Sequence, residues 1–127
     1  MADKKHYTLT RLAESDLQQA RRWSLGRWGK ELTRQYFADL HRAAEHAATH
    51  WQSLSTREDI AGDTGLCVHP VREHYLVYLP VVNQHIVVVA VIRQSRDVPE
   101  ILGRAEFIIR REVTGVRESI ERGEIKL

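Results

Sequence analysis

A single cysteine, Cys67, leaves this chain of 127 residues unable to close an internal disulfide. No apolar run approaches the roughly 20 residues that a membrane-spanning helix needs, and the longest, Ile86 to Ile92, is strand-like. The first ten residues, MADKKHYTLT, contain no apolar stretch of the signal-peptide kind. These absences lead to the expectation of a reduced, cytoplasmic protein with no membrane insertion. Lysine is missing from residue 31 to residue 125. There is no internal repeat and no low-complexity segment.

What is present fits one compact domain. Hydrophobic residues make up 43% and charged residues 28% of a chain long enough for one core and too short for two ordinary ones. The net charge of +2 arises from interspersed signs, so charge by itself does not argue for nucleic acid.

The stretch from Gly65 to Leu102 is the most informative. His85 to Ile92 (HIVVVAVI) is apolar at both parities, which predicts a central strand buried on both faces. Val71 to Leu79 predicts a neighbour, with Tyr75, Val77 and Leu79 on one face and Arg72, His74, Leu76 and Tyr78 on the other. Pro80 to Gln84 is short and polar enough to join the two as an antiparallel hairpin. Leu66 to His69 reads as a third short strand, with Pro70 favouring a bend or an edge.

Upstream, Tyr7 and Leu9 alternate with polar neighbours in a short edge strand, and Thr10 offers a cap for a following helix. Ala13, Leu17, Ala20, Trp23 or Ser24, and Arg27 or Trp28 recur at helical spacing, and this helix should end near Gly29. A second helix carries Leu32, Tyr36, Leu40, Ala43, Ala47 and Trp51 as an amphipathic stripe. The two form a helical hairpin over one face of the sheet. Gln52 to Thr64 reads as a surface loop. Downstream, Asp97-Val98-Pro99-Glu100 has the form of a capping box. The helix it opens carries Leu102, Ala105, Ile109, Val113, Val116 and Ile120 inward; unbroken to Arg122 it would run roughly 37 Å at 1.5 Å per residue. Gly103 and Gly115 make a bend in it possible.

Among chemistry-bearing residues, His46 and His50 lie at i, i+4, but no third ligand stands at a defined spacing, so no metal or other cofactor is expected. Cys67 lacks the neighbours of a nucleophile and reads as a small, partly buried thiol. Trp23, Trp28 and Trp51 read first as core. The competing reading is a groove on the hairpin that takes a partner's amphipathic helix.

Tyr7-Thr8-Leu9-Thr10 with Ala13, Asp16 and Leu17, then Trp28-Gly29, Gly65-Leu66, Pro70-Val71-Arg72, Tyr78, and Asp97-Val98-Pro99 with Leu102 carry, in this order and spacing, a resemblance. The chain resembles the ParE-type toxins of the ParE/RelE superfamily of type II toxin-antitoxin systems. The resemblance spans residues 7 to 102. It implies an α+β fold: an N-terminal strand, a helical hairpin packed on a small antiparallel sheet, and a C-terminal helix. Residues 1–102 would form the toxin domain and 103–127 a helical extension of it.

What the resemblance implies for function is inhibition of DNA gyrase by binding and neutralisation by a cognate antitoxin. It also implies a toxin-antitoxin hetero-oligomer that reaches operator DNA only through the antitoxin. Related RelE-type toxins instead cleave messenger RNA on the ribosome, and a non-toxic binding module is a third reading. Three positions depart from the family pattern. Arg93 and Arg96 stand where a His and a Met are usual before Asp97, and Cys67 stands where many members carry Arg.

On this basis Arg72, His74, Arg93, Arg96 and Asp97 are the expected target-binding residues. Arg72, His74, Arg93 and Arg96 would be the catalytic groups of a ribonuclease, although RelE-type sites usually combine Lys, Arg and Tyr. Antitoxin contacts are expected at Leu17, Trp23, Trp28, Tyr36, Val87 and Val89. Because one hairpin covers one sheet face, the other face needs the C-terminal helix, the antitoxin or a second toxin chain over it.

Overall fold

The computed structural model describes residues 6–54, 57–62, 64–82 and 84–125. Residues 1–5 of the N-terminal segment, Ser55, Thr56 and Asp63 of the expected loop, Asn83 of the expected hairpin connection, and residues 126–127 of the extension lie outside the described residues. The chain forms β1 (Tyr7–Leu9), α1 (Arg11–His50), α2 (Glu58–Ala61), β2 (Cys67–Val71), β3 (His74–Val82), β4 (His85–Arg93), α3 (Val98–Arg104) and α4 (Glu106–Glu121). The segment 52–64, expected to be loop, contributes part of a 3-10 turn, Trp51–Ser53, and the single turn of α2.

The four strands make one mixed sheet in the order β1-β4-β3-β2. β4 is central and buried along its length from His85 to Ile92, in keeping with its apolar residues at both parities. β3 and β2 are antiparallel to their neighbours, whereas β1 joins β4 in parallel, with Tyr7 opposite Ile86 and Leu9 opposite Val88.

The strand boundaries differ from the sequence expectation in one instructive way. Val71 ends β2 and pairs with His74, so Arg72 and Glu73 form a two-residue turn and β3 runs on to Val82. Arg72 takes a left-handed φ of 52° there, a conformation usually signalled by Gly or Asn. Pro80, expected to begin a turn, lies in β3 at an irregularity between Pro80 and Val82, where a missing amide hydrogen is tolerated.

α1 is two helical arms, 11–28 and 30–50, joined at Gly29. Its φ of 85° and ψ of −177° belong to a region that only glycine occupies readily. Thr10 caps the first arm by accepting from the Ala13 amide at 3.1 Å, and its hydroxyl donates to the Val89 carbonyl at 3.1 Å. The second arm buries Thr33, Tyr36, Leu40, Ala44, Ala47 and Ala48. Leu32, expected inside, is exposed: after the Gly29 bend Thr33 takes the inward phase.

The core is two apolar layers. Between α1 and the sheet lie Tyr36, Leu40, Ala47, Leu76, Tyr78 and Val88. On the opposite face Val68, Val77, Val87 and Val89 pack under Val98, Leu102, Ile109 and Val113 of the C-terminal helices. Complete burial of such a side chain is worth roughly 1.5–3 kcal/mol, so the C-terminal helices are a substantial cover. Asp97 caps α3 by accepting from the Glu100 amide at 3.3 Å, as the capping box predicts. The expected continuous helix is interrupted at Ala105 (φ −92°, ψ 1°), two residues past Gly103. A further clamp fixes α4: the Glu112 carboxylate accepts from the Arg11 amide at 2.6 Å and the Leu12 amide at 3.4 Å, completing the first turn of α1.

Candidate interaction surface

Where the ends of β3 and β4 meet the Gly29 bend, the fold assembles an aromatic cluster ringed by arginines. Trp23 and Trp28 come from the first arm of α1, Tyr36 from the second, and His74 from the start of β3. Ring centroids are 5.0 Å apart for Trp23 and Trp28, 5.4 Å for Trp28 and Tyr36, 5.3 Å for Tyr36 and His74, and 5.8 Å for Trp23 and His74. The Arg93 guanidinium lies 4.5 Å from the Trp23 ring centroid and that of Arg27 5.3 Å from it; Arg72 lies 5.8 Å from Tyr36. Cations stacked this way hold a fixed orientation with their N–H groups still available.

His74 is only 2% exposed and its Nδ1 is hydrogen-bonded to the Tyr36 hydroxyl. Burial, and then the Arg93 charge, push its pKa down to about 4, so the ring is neutral at neutral pH. Burial likewise pushes the Tyr36 phenol up to about 12. Gln94 locks the strand ends together, its amide nitrogen donating to the Arg72 and His74 carbonyls at 2.7 and 3.0 Å. Arg72 is engaged by Asp39, which it meets at 2.5 Å; Arg42 bonds the same carboxylate, and these two arginines hold Asp39 below the usual carboxylate range.

Beside the cluster a cleft of about 320 Å³ runs between the first arm of α1 and α3, over the end of β4. His74, Arg93 and Arg96 line it, together with Trp23, Asp16 and Gln19. Asp16 accepts from the Val91 amide at 3.0 Å, and burial raises its pKa.

The placement of the residues singled out from sequence is uneven. Arg93 and Arg96 share the cleft, and Asp97 beside them has its carboxylate engaged in capping α3. Arg72 and His74 do not share a strand face as expected. Arg72 sits in the β2–β3 turn, outside the lining of that cleft, while His74 borders the cleft but is 2% exposed and bonded to Tyr36. The four groups of the ribonuclease expectation therefore do not converge on one exposed point.

Of the six expected antitoxin contacts, Leu17, Trp23 and Trp28 are half-buried and retain some surface. Tyr36, Val87 and Val89 have none in the free chain, because Tyr36 points into the sheet and α3 and α4 cover the two valines. Sequence reasoning missed Asp39 and Gln94, whose roles depend on partners distant in the chain, and Arg27, whose partner Trp23 is local. Arg27 carried one usable signal, since it lies four residues after Trp23 on the same helical face.

The family model for the ParE toxin of the type II toxin-antitoxin system, parDE, matches residues 7–98. The chain belongs to the ParE toxin family. The ParE match takes in β1 through the first residue of α3, so the cluster and the cleft's arginines lie within it, whereas α4 lies beyond it. A solved structure of the chromosomal ParDE toxin-antitoxin system from P. aeruginosa superposes with a TM-score of 0.58 at 15% identity, covering 68% of this chain and 92% of that one, a likeness of fold. No curated protein matches the chain. Among the described residues no helix is long and apolar enough to cross a membrane.

Proposed function

We propose that this ParE-family chain is the toxin of a type II pair that arrests growth by binding DNA gyrase. A cognate antitoxin neutralises it by packing on the helical hairpin, in a hetero-oligomer that reaches operator DNA through the antitoxin alone. The observation that carries a binding rather than a catalytic mechanism is the state of His74. The one histidine near the arginines is buried, neutral and bonded to Tyr36, so it is not presented as a general base to a phosphodiester. Arg93 and Arg96, by contrast, sit at an accessible cleft beside a half-buried tryptophan, an arrangement suited to gripping a protein surface.

Supercoiling by purified gyrase in the presence of the chain tests this. Loss of supercoiling or accumulation of cleaved DNA is the expected result; unaffected gyrase together with messenger RNA cut on ribosomes would establish the ribonuclease reading instead. The double variant Arg93→Ala, Arg96→Ala should keep its fold and its antitoxin affinity and lose growth inhibition. Undiminished toxicity would remove these two arginines from the target contact.

A further inference from the structure

The outer side of α4 carries an exposed aromatic ring and, next to it, an apolar groove that could receive one. Phe107 is 75% exposed, the most of any large hydrophobic residue among those described, and its neighbour Ile108 is 49% exposed. One apolar side chain in solvent is ordinary on a protein surface. This one stands beside a groove of about 520 Å³ between α4 and the segment that enters β2. Leu66, Leu79, Ile109 and Val113 give the groove an apolar lining, and its volume is in the range of pockets that hold ligands. Arg110 and Thr114 on its α4 rim follow Phe107 at i+3 and i+7, so ring and groove lie on the same side of the helix.

The charges on that rim are complementary end to end. Glu106 lines the groove toward the start of α4 and Arg117 toward its end. Glu106 meets Arg110 at 2.6 Å with both side chains more than half exposed, whereas Arg117 has no carboxylate partner among the described residues. A second α4 laid alongside in the antiparallel sense brings Glu106 of each copy beside Arg117 of the other and opposes the two helix dipoles. The same two-fold relation carries each Phe107 to the other copy's groove, level with Arg110 and Val113. A parallel alignment would set acid against acid and arginine against arginine.

We propose that this surface docks a second copy of the chain, in a two-fold dimer where each Phe107 ring enters the other copy's groove and each Glu106 meets the other's Arg117. An aromatic side chain buries roughly 150–250 Å² when it is enclosed, and two are enclosed here. Arg110 and Arg117 flank the entering ring and add cation–π contact to it. Because ring and groove lie on one surface and each is used twice, the assembly closes at two copies rather than growing into a filament. The contact is built on α4, beyond the residues that match the ParE family. Glu106, Phe107 and Arg117 do not line the Arg93–Arg96 cleft.

Sedimentation equilibrium of the purified full chain across micromolar concentrations tests this, and a reversible monomer–dimer equilibrium is the expected result. Phe107→Ser, at a position already exposed, should raise the dissociation constant by about a hundredfold or more, because both rings are lost. Arg117→Glu sets two carboxylates against each other across the contact and should raise it by about tenfold or more, as should Glu106→Arg in the opposite sense. The double variant Glu106→Arg, Arg117→Glu exchanges the partners and should restore dimerisation to near the wild-type value. Circular dichroism establishes that each variant is folded. A chain that stays monomeric, one that assembles without limit, a folded Phe107→Ser variant that dimerises like the wild type, or a folded double variant no better than the single reversals each overturns the proposal. Supercoiling enters none of these readouts, so the gyrase reading and this one can fail independently.

Discussion

Lowering the pH should reveal His74 as a liability in stability. Burial, followed by the Arg93 charge, holds its pKa at about 4 against an ordinary 6.5, so as pH falls the unfolded chain takes up the proton first. This contribution to stability is complete above the ordinary pKa, declines between 6.5 and about 4, and then levels off once the folded protein also protonates. Integrating the two titrations from about pH 7.5 to about pH 4.5 gives a loss of roughly 2–3 kcal/mol. The perturbation that isolates it is His74→Gln, which keeps an acceptor for the Tyr36 hydroxyl and does not titrate. Urea unfolding of both proteins at the two pH values supplies the measurement. At the higher pH the wild type should be the more stable, since its ring packs against Trp23 and Tyr36; at the lower pH the difference should move toward the variant by that amount. Other pH-sensitive groups, such as Asp39, His69 and His85, are present in both proteins and drop out of the comparison. Parallel pH profiles would refute the argument, since they would mean that His74 is protonated in the folded state as readily as in the unfolded one.

Other substitutions probe the joints of the fold. Gly29→Ala should cost about 1–3 kcal/mol in urea unfolding, because the bend needs a glycine-only backbone conformation; an unchanged midpoint would mean the arms bend elsewhere. Glu112→Gln should destabilise by about 1 kcal/mol and speed hydrogen exchange at the Arg11 and Leu12 amides, which it now accepts from. Exchange unchanged at those two amides would rule out the clamp. Val113→Asp places an unpaired charge in the layer between α4 and the sheet, and should cost several kcal/mol and expose surface that binds hydrophobic dyes. A soluble variant with wild-type melting would show that α4 contributes little cover.

Much of the fold was legible because it rests on local patterns. β4 announced its central place through apolar residues at both parities, Thr10 and Asp97 announced helix starts, and Gly29 announced the break in α1. The errors arose where local preference yielded to pairing. The Arg72–Glu73 turn has no Gly or Asn to mark it, and the pairing of Val71 with His74 imposes it. Pro80 looks like a turn residue, yet the hairpin register carries β3 past it at a bulge. The site was less legible than the fold. Arg93 and Arg96 were singled out by where they stand before Asp97 in the family pattern, and the fold places both on one cleft. His74 was expected in the target contact, and strand parity cannot say that Tyr36 and Trp23 will close over it.

The sequence alone determined the elements, the ParE-like order in which they come, and the apolar faces each must bury, since all of these depend on residues within a few positions of one another. Only the tertiary structure decided which faces meet and which charges remain free. Tyr36 and His74, Arg72 and Asp39, and Glu112 and the amide of Arg11 are 38, 33 and 101 residues apart. Contacts over such separations follow from how the arms, sheet and C-terminal helices stack. That stacking covers Val87 and Val89, buries His74, and brings Arg93 and Arg96 to one cleft.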